Sequence, residues 1–323
     1  MQYSKLHKLF RDGQRRCHLV GDERAGVLVG LDLEGRLYAV LDGEVLNRVN
    51  PAALEGQSTM DGYLNPGGDG LWPAPEGSRL GYEYAAGKWR VPPGLTGARY
   101  RVMDAGPRTA VVQAEVDLIN SSGQGMPMVF ERRIRVAQPA GHPGRAVQVL
   151  VCECLKYLGR RPLPRPGAMI APWTLAQFDS GPGAEVVFPG RPDMPIHDFY
   201  EPSGDRRRHD GELWRARTDG DGPRYQIGLE PEVPWIEYRY PARGLTVRRA
   251  AAPLAPGWEY MDIADRQPDL DPQPLAIRYS LYSDPSGFME IEAAGGAPAV
   301  LTPGLSLELS VETTYCADAA ERQ

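Results

Sequence analysis

No run of about 18 apolar residues occurs anywhere in the chain, so no membrane-spanning helix is expected. The opening "MQYSKLHKLFRDGQRRCHLV" lacks the apolar core of a secretion signal. Cysteine is scarce, with residues at 17, 152, 154 and 316 only. Cys152 and Cys154 lie two apart in "VQVLVCECL", which reads as a strand, so both face one way. They suit small core positions better than a disulfide or a zinc knuckle lacking its second pair. A reduced, cytoplasmic protein is the expectation. The five histidines, His7, His18, His142, His197 and His209, include no pair at ligand spacing, and the acids form no EF-hand pattern. Neither a metal nor a cofactor is called for. "DIADRQPDLDPQ" (262–273), with its four aspartates, reads as a solvated turn-rich loop rather than a calcium site.

Charge of one sign is also missing. Thirty-six Lys+Arg against 42 Asp+Glu give a net charge of −6, and the two signs are mixed along the chain. A nucleic-acid partner needs a concentrated basic surface and is not expected. The densest basic cluster, Arg206-Arg207-Arg208-His209, is flanked by Asp205 and Asp210 and reads as a solvated loop. Helical periodicity is equally rare. "YSKLHKLFRDGQRR" predicts a short N-terminal helix, and "APWTLAQFD" reads as a single helical turn.

What the chain does have is turns and alternation. Gly 37 and Pro 31 favour short strands with tight connections. "GVLVGLDLEGRLYAVLDGEVL" (26–46) divides at Glu34-Gly35 and Asp42-Gly43, both tight-turn signals. Residues 98–138 repeat the design, and "RAVQVLVCECLKYL" continues it. Further strands are predicted at 184–189, 224–230, 235–241, 245–252, 275–283, 287–294 and 305–316. So many strands at regular spacing indicate an all-β sandwich or barrel. No repeat of propeller or solenoid length is visible. The expected organisation is an N-terminal extension over 1–20, a single β domain over 21–318 and a disordered tail over 319–323.

Several segments, in order, resemble a bacterial branch of the galactose-mutarotase-like superfamily. "VLVGLDLEGRLYAVLDGEVLNRVNP" resembles its first hairpins, and "NPGGDGLWPAPEG" its Gly-Gly-acid…Trp-x-x-Pro-Glu motif. "MIAPWTLAQFDSGPGAEVVFP" is similar to its central segment. "RYQIGLEPEVPWIEYRY" and "LYSDPSGFMEIEAAGGAPAVLTPGLSLELSVETTYC" are similar to its last strands. The likeness covers roughly residues 20–316. It implies an all-β fold, a large two-sheet supersandwich, and a small-molecule carbohydrate as partner on the concave face of the larger sheet. The oligomeric state stays open.

Sugar recognition combines aromatic faces against ring C–H groups with charged partners for hydroxyls. The loop reading of 64–76 supplies Trp72 as platform and Asp69 and Glu76 as acceptors. Gly67 and Gly68 would allow close backbone approach, and Pro73 and Pro75 would stiffen the loop. The alternative is that Trp72 plugs one end of the sandwich. In "GFMEIEAA", Glu290 and Glu292 share one face of a strand, opposite Met289 and Ile291. The resemblance puts the mutarotase general base, a glutamate, at Glu292 or Glu290; solvated acids on an outer face are the other reading.

Anomer interconversion also needs a proton donor at the ring oxygen. The family's donor is a histidine in an Asn-His-aromatic-Phe-Asn motif, absent from the matching stretch "CECLKYLGRRPLPRPGAMIAPW". Lys156 and Tyr157 are substitutes nearby in sequence, and His197, in the polar "MPIHDFYEP", is a third candidate. By the resemblance, Arg224 is a further substrate-binding candidate and Trp173 a residue of core or ligand. An epimerase-like enzyme using carboxylate acid/base chemistry and a sugar-binding protein without turnover are both left standing.

Overall fold

The computed structural model describes residues 1–139 and 145–317. His142 and the expected tail lie outside the described residues. The strands begin with β1 (Cys17–Gly21), β2 (Ala25–Gly30), β3 (Arg36–Leu41), β4 (Glu44–Val45) and β5 (Asp69–Ala74). Next come β6 (Arg101–Gly106), β7 (Thr109–Ile119), β8 (Gly125–Ala137) and β9 (Arg145–Tyr157). The short β10 (Leu163–Pro164) leads to β11 (Ala171–Asp179), β12 (Glu185–Pro189), β13 (Ile196–Asp198), β14 (Arg207–His209) and β15 (Leu213–Arg217). The remainder are β16 (Tyr225–Leu229), β17 (Ile236–Tyr240), β18 (Leu245–Ala251), β19 (Tyr279–Asp284), β20 (Phe288–Ala294), β21 (Val300–Leu301) and β22 (Ser306–Ala317).

Two antiparallel sheets hold nearly all of them. The first runs β1-β2-β3-β5-β11-β20-β19-β16-β13, with β4 on the side of β3. The second runs β14-β15-β12-β17-β18-β22-β9-β8-β7-β6. The long strands of the second sheet alternate buried and exposed residues, so one face is solvated and the other packs on the first sheet. The first sheet differs. Strands β2, β3, β5 and β16 are buried on both faces, and β11 and β20 nearly so. One face meets the second sheet across the main core, and the other face is covered too.

Over β2 and β3 the cover is helix α1 (Tyr3–Asp12). Its Tyr3, Leu6 and Phe10, at three- and four-residue spacing, pack on Leu28, Tyr38 and Val40 of the outward face. The two hairpin turns adopt the left-handed backbone that their residues tolerate, with φ of 54° and 64° at Glu34-Gly35 and 48° and 77° at Asp42-Gly43.

Two readings of local structure are corrected. "APWTLAQFD" is not a helical turn but β11, flanked by β5 and β20. Burial on both faces removes the apolar/polar alternation that marks a half-exposed strand. "DGLWPA" is likewise a strand, β5, and not part of a loop. Gly67 and Gly68, at φ 80° and 70°, serve chain packing. A Cβ on Gly67 would stand 2.2 Å from the Arg48 carbonyl oxygen, and one on Gly68 would stand 2.8 Å from that of Leu37.

Candidate functional site

The outward face of the first sheet, beyond the part covered by α1, forms the floor of a cavity of about 440 Å³. The strand register explains which side chains share it. Trp72 of β5 lies opposite Trp173 of β11, and Leu175 and Gln177 lie opposite Glu292 and Glu290 of β20. Glu290 in turn faces Tyr282 of β19, which faces Gln226 of β16. Paired residues on neighbouring strands project to the same side, so five strands contribute to one surface. Met289 and Ile291, between and beside the glutamates, are fully buried in the main core.

The aromatic lining is continuous. Trp72 and Trp173 meet edge to face at 6.3 Å between centroids, and Tyr63 lies 6.1 Å from Trp72. Across the floor, Arg224 stacks over the Tyr200 ring at 4.0 Å. Arg36 is buried beneath this wall. It donates to Glu34 at 2.9 Å and to the Tyr63 hydroxyl at 2.8 Å, and that hydroxyl donates to Glu34 at 2.9 Å. Gly70 leaves the room its guanidinium occupies, since a Cβ there would stand 2.5 Å from Nη1. Arg36 Nη1, Trp72 Nε1 and Gln226 Oε1 are buried and take no partner among the described protein groups, although all three side chains line the cavity. Buried polar atoms are normally satisfied. Unpaired ones around a hollow suit a ligand rich in hydroxyls.

The acids set the chemistry. Glu292 receives the Trp173 indole N–H at 3.1 Å and the Gln226 amide at 3.1 and 3.2 Å. Glu290 receives the Gln177 amide at 2.5 Å. Burial pushes both carboxyl groups above the usual range, Glu292 well above it, where the charge of Glu290 adds to the effect. A side-chain hydrogen bond between them favours the ionised form of Glu290 and the neutral form of Glu292. They therefore titrate as a pair that retains a proton.

Glu76, in the segment after β5, accepts the Trp89 indole N–H at 2.9 Å. Burial, then the charge of Asp265, raises it to about 8. Asp265, beside Tyr84 and Tyr200, is itself raised by burial.

Six of the ten residues singled out in the sequence line this cavity: Trp72, Glu76, Trp173, Arg224, Glu290 and Glu292. Asp69, His197, Lys156 and Tyr157 do not. Asp69 is on β5, but an odd number of residues from Trp72, so it projects into the core. There it accepts from Arg249 at 2.8 Å. His197 is on the edge strand β13, with Nε2 2.9 Å from Glu230. Lys156 belongs to β9 of the second sheet and is exposed, while its neighbours Leu155 and Tyr157 enter the core.

The cavity also uses residues that the sequence reading passed over. Gln226 sits two positions beyond Arg224, a same-face spacing that would have flagged it. Gln177 was hidden in the segment read as helical, and Asp265 in the aspartate-rich loop. Arg36, Tyr63, Tyr84 and Tyr282 carry no local signal.

Known structures share this architecture. A Synechocystis sp. PCC 6803 protein, Slr1438, superposes with a TM-score of 0.58 at 13% identity, over 94% of this chain and 96% of its own. An Escherichia coli K12 protein, provisionally assigned as an aldose 1-epimerase, gives 0.55 at 12% identity, over 93% and 99%. The fold is that of the galactose-mutarotase-like proteins. A Klebsiella pneumoniae protein with the same provisional assignment gives 0.51 at 13% identity, over 93% of this chain and 78% of that one. No protein-family model matches the sequence, and no curated protein is similar to it in sequence. The supersandwich expected from the motif order is the observed one, with the acid-bearing β20 at the centre of the first sheet.

Proposed function

We propose that this protein binds a sugar in the cavity over its first sheet and interconverts the sugar's anomers by carboxyl acid–base chemistry. The observation that carries the reading is the gathering of Glu76, Glu290 and Glu292, all buried and all raised toward neutrality, in a hollow walled by Trp72 and Trp173. Pairs of carboxyl groups in contrasting protonation states are what proton transfer at neutral pH requires.

In this reading Glu290, the ionised member of its pair, takes the proton of the anomeric hydroxyl. The bond between the anomeric carbon and the ring oxygen breaks, and the ring oxygen takes a proton from neutral Glu76. Rotation of the resulting aldehyde and reversal of both transfers close the ring on its other face. Glu292 holds the proton shared with Glu290, and Trp173 and Gln226 hold Glu292. Arg224 and the free polar atoms of Arg36, Trp72 and Gln226 take sugar hydroxyls. No histidine is needed for either transfer, which accounts for the missing family motif. The provisional assignment of two structural neighbours as aldose 1-epimerases supports the same reaction class.

The direct test is two-dimensional NMR exchange between the α and β anomers of glucose and galactose with and without protein. Catalysed exchange that disappears in Glu290→Gln supports the proposal. Tight sugar binding with no catalysed exchange would leave a sugar-binding protein without turnover, a reading favoured by the lack of a histidine among the described lining residues.

A further inference from the structure

A second hollow of about 320 Å³ adjoins the first. Tyr63 and Trp89 line both. Trp89 belongs to each side in a different way. Its indole N–H is committed to Glu76 at 2.9 Å, while the residue as a whole remains 41% exposed. The rest of the lining includes Ser58, Thr59, Met60, Val91, Lys88 and Arg90. Met60 is 66% exposed. An exposed tryptophan beside an exposed methionine costs solubility and contributes nothing to the core, so the pair needs another explanation.

We infer that this hollow is a second sugar subsite, and that the ligand is a reducing disaccharide or longer oligosaccharide whose terminal reducing ring enters the first cavity. The inference rests on the sugar-binding reading of that cavity. Three features support it. The aromatic rings form one series: Trp173, Trp72 and Tyr63 approach successively at 6.3 and 6.1 Å, and Trp89 lines both hollows beside Tyr63. The volume accepts one further ring but no large hydrophobic body. The lining is mixed, with Ser58 and Thr59 among the polar residues and Trp89 and Val91 among the apolar ones, which matches a ring with polar edges and an apolar C–H face. Lys88 is already paired with Asp61 at 2.6 Å, so the hollow is not a dedicated anion site.

The experiment is calorimetric titration of the full chain with glucose, galactose, maltose, cellobiose and lactose, repeated on Thr59→Trp. Thr59 is exposed and sits on the wall of the second hollow, where an indole would fill the space. At least one disaccharide is expected to bind about tenfold more tightly than the monosaccharide at its reducing end, the gain of one good stacking contact. Thr59→Trp is expected to erase that gain while the monosaccharide Kd, which also reports folding, stays where it was. Monosaccharides binding as tightly as every disaccharide, or a disaccharide gain that survives Thr59→Trp, overturns the second subsite and leaves the first cavity standing. No binding of any of the five sugars overturns both readings together.

Discussion

Glu292 and Glu290, two positions apart on β20, share a side-chain hydrogen bond within a cavity that buries both. Two buried carboxylates facing each other cannot both ionise, so the pair keeps a proton, with the charge favoured on Glu290. The two amide substitutions should therefore differ. Glu290→Gln removes the base and is expected to lower catalysed anomer exchange by about 10²–10⁴-fold. Glu292→Gln replaces a neutral group by a neutral isostere and should lose far less. Sugar affinity should hardly move in either. Equal losses in the two variants, measured by the NMR exchange assay, would remove the distinction between them.

Glu76 provides a pH test. Its carboxyl is raised to about 8, so the proton needed at the ring oxygen is present below that pH and lost above it. The profile of kcat/KM should fall on its alkaline side with an apparent pKa near this value, and Glu76→Gln should abolish exchange across the range. Stability moves the same way. The folded state holds a proton that the unfolded chain releases at its ordinary carboxylate pKa, so the stabilisation is complete at low pH. It declines as pH rises from the ordinary range through about 8. Glu83, Glu290 and Glu292, also raised by burial, act in the same direction. Thermal midpoints should fall from pH 5 to pH 8, less steeply in Glu76→Gln. A midpoint that is flat over this interval in the wild-type protein contradicts the protonated state.

Trp72 carries a buried indole N–H with no acceptor among the described protein groups. Trp72→Phe keeps an aromatic face against Trp173 and Tyr63 but removes that donor. Sugar affinity is expected to fall by about 1 kcal/mol, the usual net worth of one hydrogen bond. An unchanged calorimetric Kd would make Trp72 a packing residue alone.

The part of the site that was legible lay where local alternation reports a face. "FMEIEAA" told that Glu290 and Glu292 share a side because Met289 and Ile291 share the other. The proline-and-tryptophan stretch was legible as a wall but not as a strand. Its glycines and prolines read as a turn, and that error put Asp69 beside Trp72 when strand geometry sends the two to opposite faces. β11 was unreadable for another reason. Both its faces are buried, so Trp173, Leu175 and Gln177 on the cavity side look no more polar than Thr174, Ala176 and Phe178 on the core side. The neighbour order β5-β11-β20-β19-β16 is set by pairings between distant segments, so nothing local announces that Arg36, Tyr63 and Asp265 converge. Lys156 illustrates the converse. It lies near the expected donor position along the chain, yet its strand belongs to the other sheet.

Asp69 gives the sharpest test of the two roles open to it. It is 4% exposed, and Arg249, 1% exposed, reaches it from β18 across the core. The same guanidinium donates to the Thr174 hydroxyl at 2.8 Å and to the Ile291 carbonyl at 2.9 Å, between the two glutamates. Arg132, donating to Glu153 at 2.6 Å and to the Asp69 backbone carbonyl at 2.8 Å, completes a buried set of two positive and two negative groups. Asp69→Asn leaves one positive charge uncompensated in the core and should cost about 3–5 kcal/mol of stability in urea denaturation. Adding Arg249→Met should recover part of that loss, since an apolar replacement removes the stranded charge. The folded fraction of Asp69→Asn should still bind sugar with the wild-type Kd. Loss of sugar binding with a stability change below about 1 kcal/mol would return Asp69 to the ligand and make the core network a lesser contributor than its burial implies.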